Sequence, residues 1–157
     1  MDKNEERIKQ FLLDHRVNAE HLTFTQSCHS VDDAARAVKT TKDNFVKNVC
    51  LVDSNGTLIV AIVKGEDRVS IPLVEGVVQK GKLRIATPEE VKEKSGYLIG
   101  GVPSFGYHAL FLIDERVMEK EKVYSGGGSG QSLIKISSQE LLRVNGGRVV
   151  AIRQEKN

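Results

Sequence analysis

The chain has 157 residues, 39% hydrophobic and 28% charged, with a formal net charge of +2. That length is enough for one domain, residues 1–157, with a proper core, and the small charge neither demands nor excludes a nucleic-acid partner. Aromatics at 5% and no Trp leave base-stacking platforms scarce, and no apolar run, the longest being Leu58 to Val63, approaches a membrane span.

Residues Asn4 to Asp14 are predicted to form an amphipathic helix, with Ile8, Phe11, Leu12 and His15 at helical spacing. The charged start of the chain carries no secretory signal, which predicts a cytoplasmic protein without a membrane partner. After the polar stretch Thr23 to His29, Ser30 is predicted to cap a short helix whose face is Val31, Ala34, Ala35 and Val38, with Asp33 suiting its N-terminus. Phe45 to Val52 and Thr57 to Val63 read as strands, and Asn55-Gly56 between them signals a hairpin. Asp67 to Lys82 is ambiguous: a short strand, then a helix opening at Pro72. Thr87-Pro88-Glu89-Glu90 predicts a capping box and a helix that stops near Gly96.

Ala109 to Ile113 reads as a buried strand, Glu115 to Lys120 as a helical turn, and Leu133 to Ile136 as a further strand. Ser137 or Ser138 caps another helix through Leu141 and Leu142, and Arg148 to Ile152 closes the chain as a strand. Helices mixed irregularly among strands, with at least one hairpin, predict an α+β class with a mixed sheet.

Two glycine-rich stretches stand out. Gly100-Gly101-Val102-Pro103-Ser104-Phe105-Gly106 reads as a loop too poor in side chains to pack a core, and able to bring backbone N–H groups close to a ligand. On that reading, valine at Gly101 would crowd a ligand without touching the core. The second stretch, Ser125 to Gly130, lacks both the Gly-Lys-Ser/Thr ending of a P-loop and the dinucleotide fingerprint.

Cys28-His29 is a lone pair without a second one nearby, so no metal is predicted. Cys50, inside an apolar strand, reads as a small core residue, and two distant cysteines suit a reducing compartment. No Gly-x-Ser-x-Gly elbow signals a hydrolase serine. His15 and His21 read as surface or edge residues; His108, just beyond the first glycine stretch, is placed to touch a ligand or simply to enter a strand.

Lys47 is the anomaly. It interrupts an apolar strand and shares a face with Val49 and Leu51. An inward ammonium must be paired or line a wet pocket. Such a lysine binds phosphate or carboxylate; the alternative is an edge lysine that snorkels outward. Lys39 and Lys42 lie near it in sequence, and Lys80, Lys82 and Arg84 form a second basic group.

The capped helix from Ser30, the strand Val46-Lys47-Asn48-Val49-Cys50, the stretch Gly96 to Gly106, the strand ending in Asp114-Glu115, and Tyr124-Ser125-Gly126-Gly127 occur in an order that resembles the YbaK/prolyl-tRNA synthetase-associated editing domain family. The resemblance spans about residue 5 to residue 153. It implies a mixed, strongly curved, barrel-like β-sheet surrounded by helices. It implies a trans-editing aminoacyl-tRNA deacylase that removes a small amino acid such as alanine, serine, threonine or cysteine, without cofactor or protein nucleophile. Lys47 and Gly101 would form the catalytic centre. Ser30, Lys47, Gly100, Gly101, Val102, Pro103, Ser104, Phe105, Gly106, His108 and Gly127 would bind the substrate. The implied partners are the aminoacyl-tRNA 3′ end and an aminoacyl-tRNA synthetase able to add tRNA contacts. Two departures bear on the amino acid: Thr25 stands where the family often has a histidine, and Gly128 to Ser132 carries none. A non-catalytic module that binds a nucleotide or tRNA end in the same pocket is the alternative, and hydrolysis of a small free ester is a third reading.

Overall fold

The structure, a computed structural model, describes residues 2–155. Helices form where caps and apolar spacing agree. The Asp2 carboxylate accepts the Asn4 and Glu5 amides at 2.7 and 3.1 Å to open α1 (Lys3–Asp14), which buries Ile8 and Leu12. Ser30 caps α2 (Val31–Val38) by accepting the Asp33 amide at 3.1 Å. Ser70 caps α3 (Ile71–Val78), with Pro72 in its first turn. Thr87 and Glu90 form the reciprocal capping box of α4 (Pro88–Ser95), which ends at Gly96. Ser137, not Ser138, caps α5 (Ser138–Asn145).

The strands are β1 (Ala19–Thr23), β2 (Val46–Val52), β3 (Leu58–Lys64), β4 (Arg84–Ile85), β5 (Leu110–Asp114), β6 (Lys122–Gly126), β7 (Ser132–Ser137) and β8 (Arg148–Val150). They make two sheets. One has the order β4-β2-β3-β5-β8, mixed, with β5 parallel to β3 and β8 parallel to β5. The other, β1-β7-β6, is antiparallel. The hairpin between β2 and β3 turns on the Asp53 carboxylate, which accepts the Asn55 and Thr57 amides at 2.9 and 2.8 Å.

The α+β class with a mixed sheet is observed. The barrel-like sheet is not: hydrogen bonding gives two open sheets, which touch at a Phe45–Tyr124 bridge where the two rings stack at 5.0 Å. In the region from Asp67, the expected strand reduces to an isolated Val69–Arg153 bridge ahead of α3.

β3 is buried along its whole length because its sheet is covered on both faces. Val60 and Ile62 join Ile8, Tyr97, Phe105, Ile134 and Leu141 in the main core. Ile59, Ala61 and Val63 face the other way, against Val74 of α3, Leu112 and Ile152. A small third core under α2 holds Cys28, Ala34, Ala35, Phe45 and Leu133.

Candidate functional site

A cavity of about 370 Å³ lies where the two sheets meet. Val46, Lys47, Asn48, Val49 and Cys50 all line it. Consecutive strand residues point to opposite faces, so five in a row means that the cavity runs along the edge of β2 rather than over one face. That edge is open because β4 pairs with β2 only at Leu51 and Val52, and Ala86 adds one bond to the Cys50 carbonyl at 2.9 Å. The other walls come from the start of α2, the first glycine stretch, the end of β6 and Ile85 of β4.

Lys47 is the only charged side chain among the described residues that line this cavity. It belongs to the face of Val49 and Leu51, pairs in register with Val63, and donates from Nζ to the Asp67 carbonyl at 2.7 Å. Burial pulls its ammonium below the usual lysine range, and the nearby Arg68 adds to that. The two thiols shift the opposite way: burial, with the charge of Asp33, raises Cys28, and burial alone pushes Cys50 up to about 11. At neutral pH both are protonated and poor nucleophiles.

The first glycine stretch is not an open loop. Gly101 through Phe105 are all buried, with Ser104 and Phe105 at 0% exposure. Four successive carbonyls are held by the protein: Gly101 by the Gly128 amide at 2.8 Å, Val102 by Asn48 Nδ2 at 2.9 Å, Pro103 by the Tyr107 hydroxyl at 2.7 Å and Ser104 by Asn145 Nδ2 at 3.1 Å. Ser104 Oγ also donates to Asn48 Oδ1 at 2.6 Å and meets Ser125 Oγ at 2.7 Å. A trans peptide points its N–H opposite to its C=O, so the Val102 N–H faces away from Gly128, and it has no acceptor among the described residues.

Of the sequence-predicted residues, Ser30, Lys47, Gly100 and Val102 line the cavity. Gly101 does not: its N–H is committed to the Leu98 carbonyl at 3.0 Å, and a Cβ there would meet the Ser129 backbone at 2.8 Å. The expectation that valine would be harmless to the fold at Gly101 is therefore corrected. Pro103 and Ser104 lie behind the wall. Phe105 is in the main core, its ring 5.7 Å from that of Phe11, and Gly106 abuts Ile8. Gly127 is packed against Ser132 and Leu133, with its carbonyl 2.8 Å from His21 Nε2. His108 is exposed and outside the cavity.

Residues outside the predicted substrate-binding set also line the cavity. The His29 ring lies against Gly100, where a Cβ would come within 2.5 Å of it and φ is +94°. Cys28, Asn48, Tyr124, Ser125 and Gly126 also line the cavity. Asn48 carried a readable signal, being a second polar residue in the same apolar strand. His29 carried none, since its meeting with Gly100 is long-range.

The family model described as the aminoacyl-tRNA editing domain matches residues 25–144. Among solved structures, "Crystal structure of a putative trans-editing enzyme for prolyl tRNA synthetase" is 27% identical, with a TM-score of 0.89 over 99% of this chain and 99% of that one. "Crystal structure of hypothetical protein APE2540" is 24% identical with a TM-score of 0.88, covering 94% of this chain and 99% of that chain, and shows the fold alone. No curated protein matches. No described helix is long and apolar enough to cross a membrane.

Proposed function

The chain belongs to the aminoacyl-tRNA editing domain family, and on that premise we propose that it acts in trans to deacylate a mischarged tRNA, hydrolysing the ester between a small amino acid and the terminal adenosine. The observation that carries this reading is one cavity combining a single cation, a clamped backbone and no ionised nucleophile. An ester is already activated, so its hydrolysis needs a placed water and donors for the oxygen that gains charge. The Val102 N–H, turned away from Gly128 and held by the fixed carbonyls on either side, is the donor we assign in place of Gly101. Such a donor typically contributes roughly 2.7–4 kcal/mol of barrier lowering.

Lys47 anchors the phosphate of the terminal adenosine through its ammonium. Water, assisted by the ribose hydroxyl beside the ester, attacks the carbonyl carbon; the ester bond breaks and the ribose oxygen leaves with a proton. Alanine, serine, threonine and cysteine are the proposed range of amino acids, and a synthetase is the proposed source of further tRNA contacts. The neighbour whose description names prolyl tRNA synthetase supports that partner.

The test is a deacylation panel over several mischarged tRNAs, with wild type and Lys47→Ala side by side. Turnover of at least one tRNA, lost in the variant, is expected. A folded wild type that turns over none while still binding the tRNA end would replace this reading by a non-catalytic binding module. Unchanged turnover in the variant would remove Lys47 from its role.

A further inference from the structure

Lys47 is shared between two cavities. A second pocket of about 230 Å³ lies beside the first, and Lys47, Val49 and Ile85 line both. Its other walls include Arg68, Val69 and Ile71. The volume falls below the roughly 300–1,000 Å³ of a whole-ligand pocket and suits a fragment such as one base. Val49, Val69, Ile71 and Ile85, the last 64% exposed, form its apolar side, and Asp67 and Gln154 complete the lining beside the two cations.

Charge is distributed unevenly around this pocket. The Asp67 carboxylate is turned to Arg116, whose Nη1 donates to both of its oxygens at 2.8 and 3.0 Å. The Lys47 ammonium donates to the Asp67 carbonyl, and neither Lys47 nor Arg68 forms an ion pair within 4.0 Å among the described residues. Arg68 is exposed and close enough to disfavour the charge on Lys47. The Asp67 and Asp32 charges favour the Lys47 ammonium at longer range, less than burial and Arg68 disfavour it. Two cations outside any direct ion pair, at the edge of a pocket with Val49, Val69, Ile71 and Ile85 in its wall, suit a phosphate attached to a flat apolar group.

We propose that the second pocket is the subsite for the nucleotide preceding the terminal adenosine, with its base against Val49, Val69, Ile71 and Ile85 and the linking phosphate between Lys47 and Arg68. Two adjacent pockets that share Lys47, Val49 and Ile85 match two nucleosides joined by one phosphate. This deepens the editing reading and rests on it for the identity of the first pocket's occupant.

The experiment is calorimetric titration of the uncharged dinucleotide 5′-CpA-3′, adenosine 5′-monophosphate and inorganic phosphate into the full chain. Wild type is expected to bind the dinucleotide at least about tenfold more tightly than the mononucleotide. Arg68→Ala and Ile71→Ala should each erase most of that difference, and Arg68→Lys should restore part of it. Equal affinity of wild type for the two nucleotides overturns the subsite, as does inorganic phosphate displacing both equally, which would mark a bare anion site. The two readings fail separately. Dinucleotide preference without ester hydrolysis sinks the editing activity and keeps the subsite; hydrolysis without that preference does the reverse.

Discussion

Asn48 and Ser104 are locked together: the Ser104 hydroxyl donates to Asn48 Oδ1 at 2.6 Å, which leaves Asn48 Nδ2 to hold the Val102 carbonyl at 2.9 Å. The serine thus fixes which way the amide points, and the amide fixes the backbone at the cavity wall. Ser125, 2.7 Å from Ser104, completes the chain of contacts.

Asn48→Asp should therefore impair deacylation more than its similar shape suggests, because a carboxylate cannot donate to the Val102 carbonyl. An unsatisfied buried partner costs about 1–3 kcal/mol, which spans roughly fivefold to 150-fold in rate when it falls on the transition state. Steady-state kcat with a circular dichroism control measures it. A kcat equal to wild type would detach this network from the chemistry.

The alkaline limb of the pH profile should report Lys47. Its charged form is disfavoured by burial first and by Arg68 next. Rising pH therefore removes its proton earlier than from an exposed lysine, near pH 10.4. KM for charged tRNA should climb below that value, and Arg68→Ala should move the rise to higher pH. A KM that stays flat up to the ordinary lysine range would contradict the assignment.

Gly101→Ala should lower thermal stability, by about 1–3 kcal/mol, because its Cβ would press on the Ser129 backbone at 2.8 Å. Gly76→Ala is the control. It lies in α3 with nothing within 4 Å of the added methyl, and should stabilise by roughly 0.4–1 kcal/mol. Thermal melts of both variants decide the matter; an unchanged melt for Gly101→Ala would reopen that glycine to a ligand role.

Acid sensitivity should trace in part to Glu140. Arg143 donates to both of its oxygens at 2.6 and 2.9 Å, and the Asn18 amide donates at 2.7 Å, which together hold its carboxyl at about 2. The native value lies below the unfolded one, so its contribution is present above about pH 4.3 and is lost as pH falls towards 2. Glu140→Gln should melt earlier than wild type at pH 7, with the gap closing towards pH 2. A gap independent of pH would assign the effect to something other than this charge.

Much of the local structure was legible in the chain. Ser30, Thr87 and Ser137 cap helices because a short oxygen-bearing side chain can reach amides left unpaired in the first turn. The β2–β3 pair follows from its apolar runs and the Asn-Gly between them. β1 and β4 were not legible: β1 is part polar, and β4 is a two-residue exposed edge, so each exists only because a partner strand supplies its hydrogen bonds. The barrel-like expectation is not confirmed, for a related reason. Sheet closure depends on which edges pair, and the link between the sheets is a single bridge at Phe45 and Tyr124.

The sequence by itself determined the class of the fold, the family it resembles and the anomaly of Lys47, because a charge in an apolar strand is costly wherever that strand lies. Only the tertiary structure decided what the glycine stretch does. Gly101 permits close approach to the Ser129 backbone, Gly100 to the His29 ring and Gly106 to Ile8, while Gly126 of the second stretch lets β6 approach the Val102 backbone. The packed carbonyls make it a rigid wall, and Asn48 and His29 reach that wall from strands and turns distant in sequence. Such meetings depend on long-range packing, which no local pattern encodes.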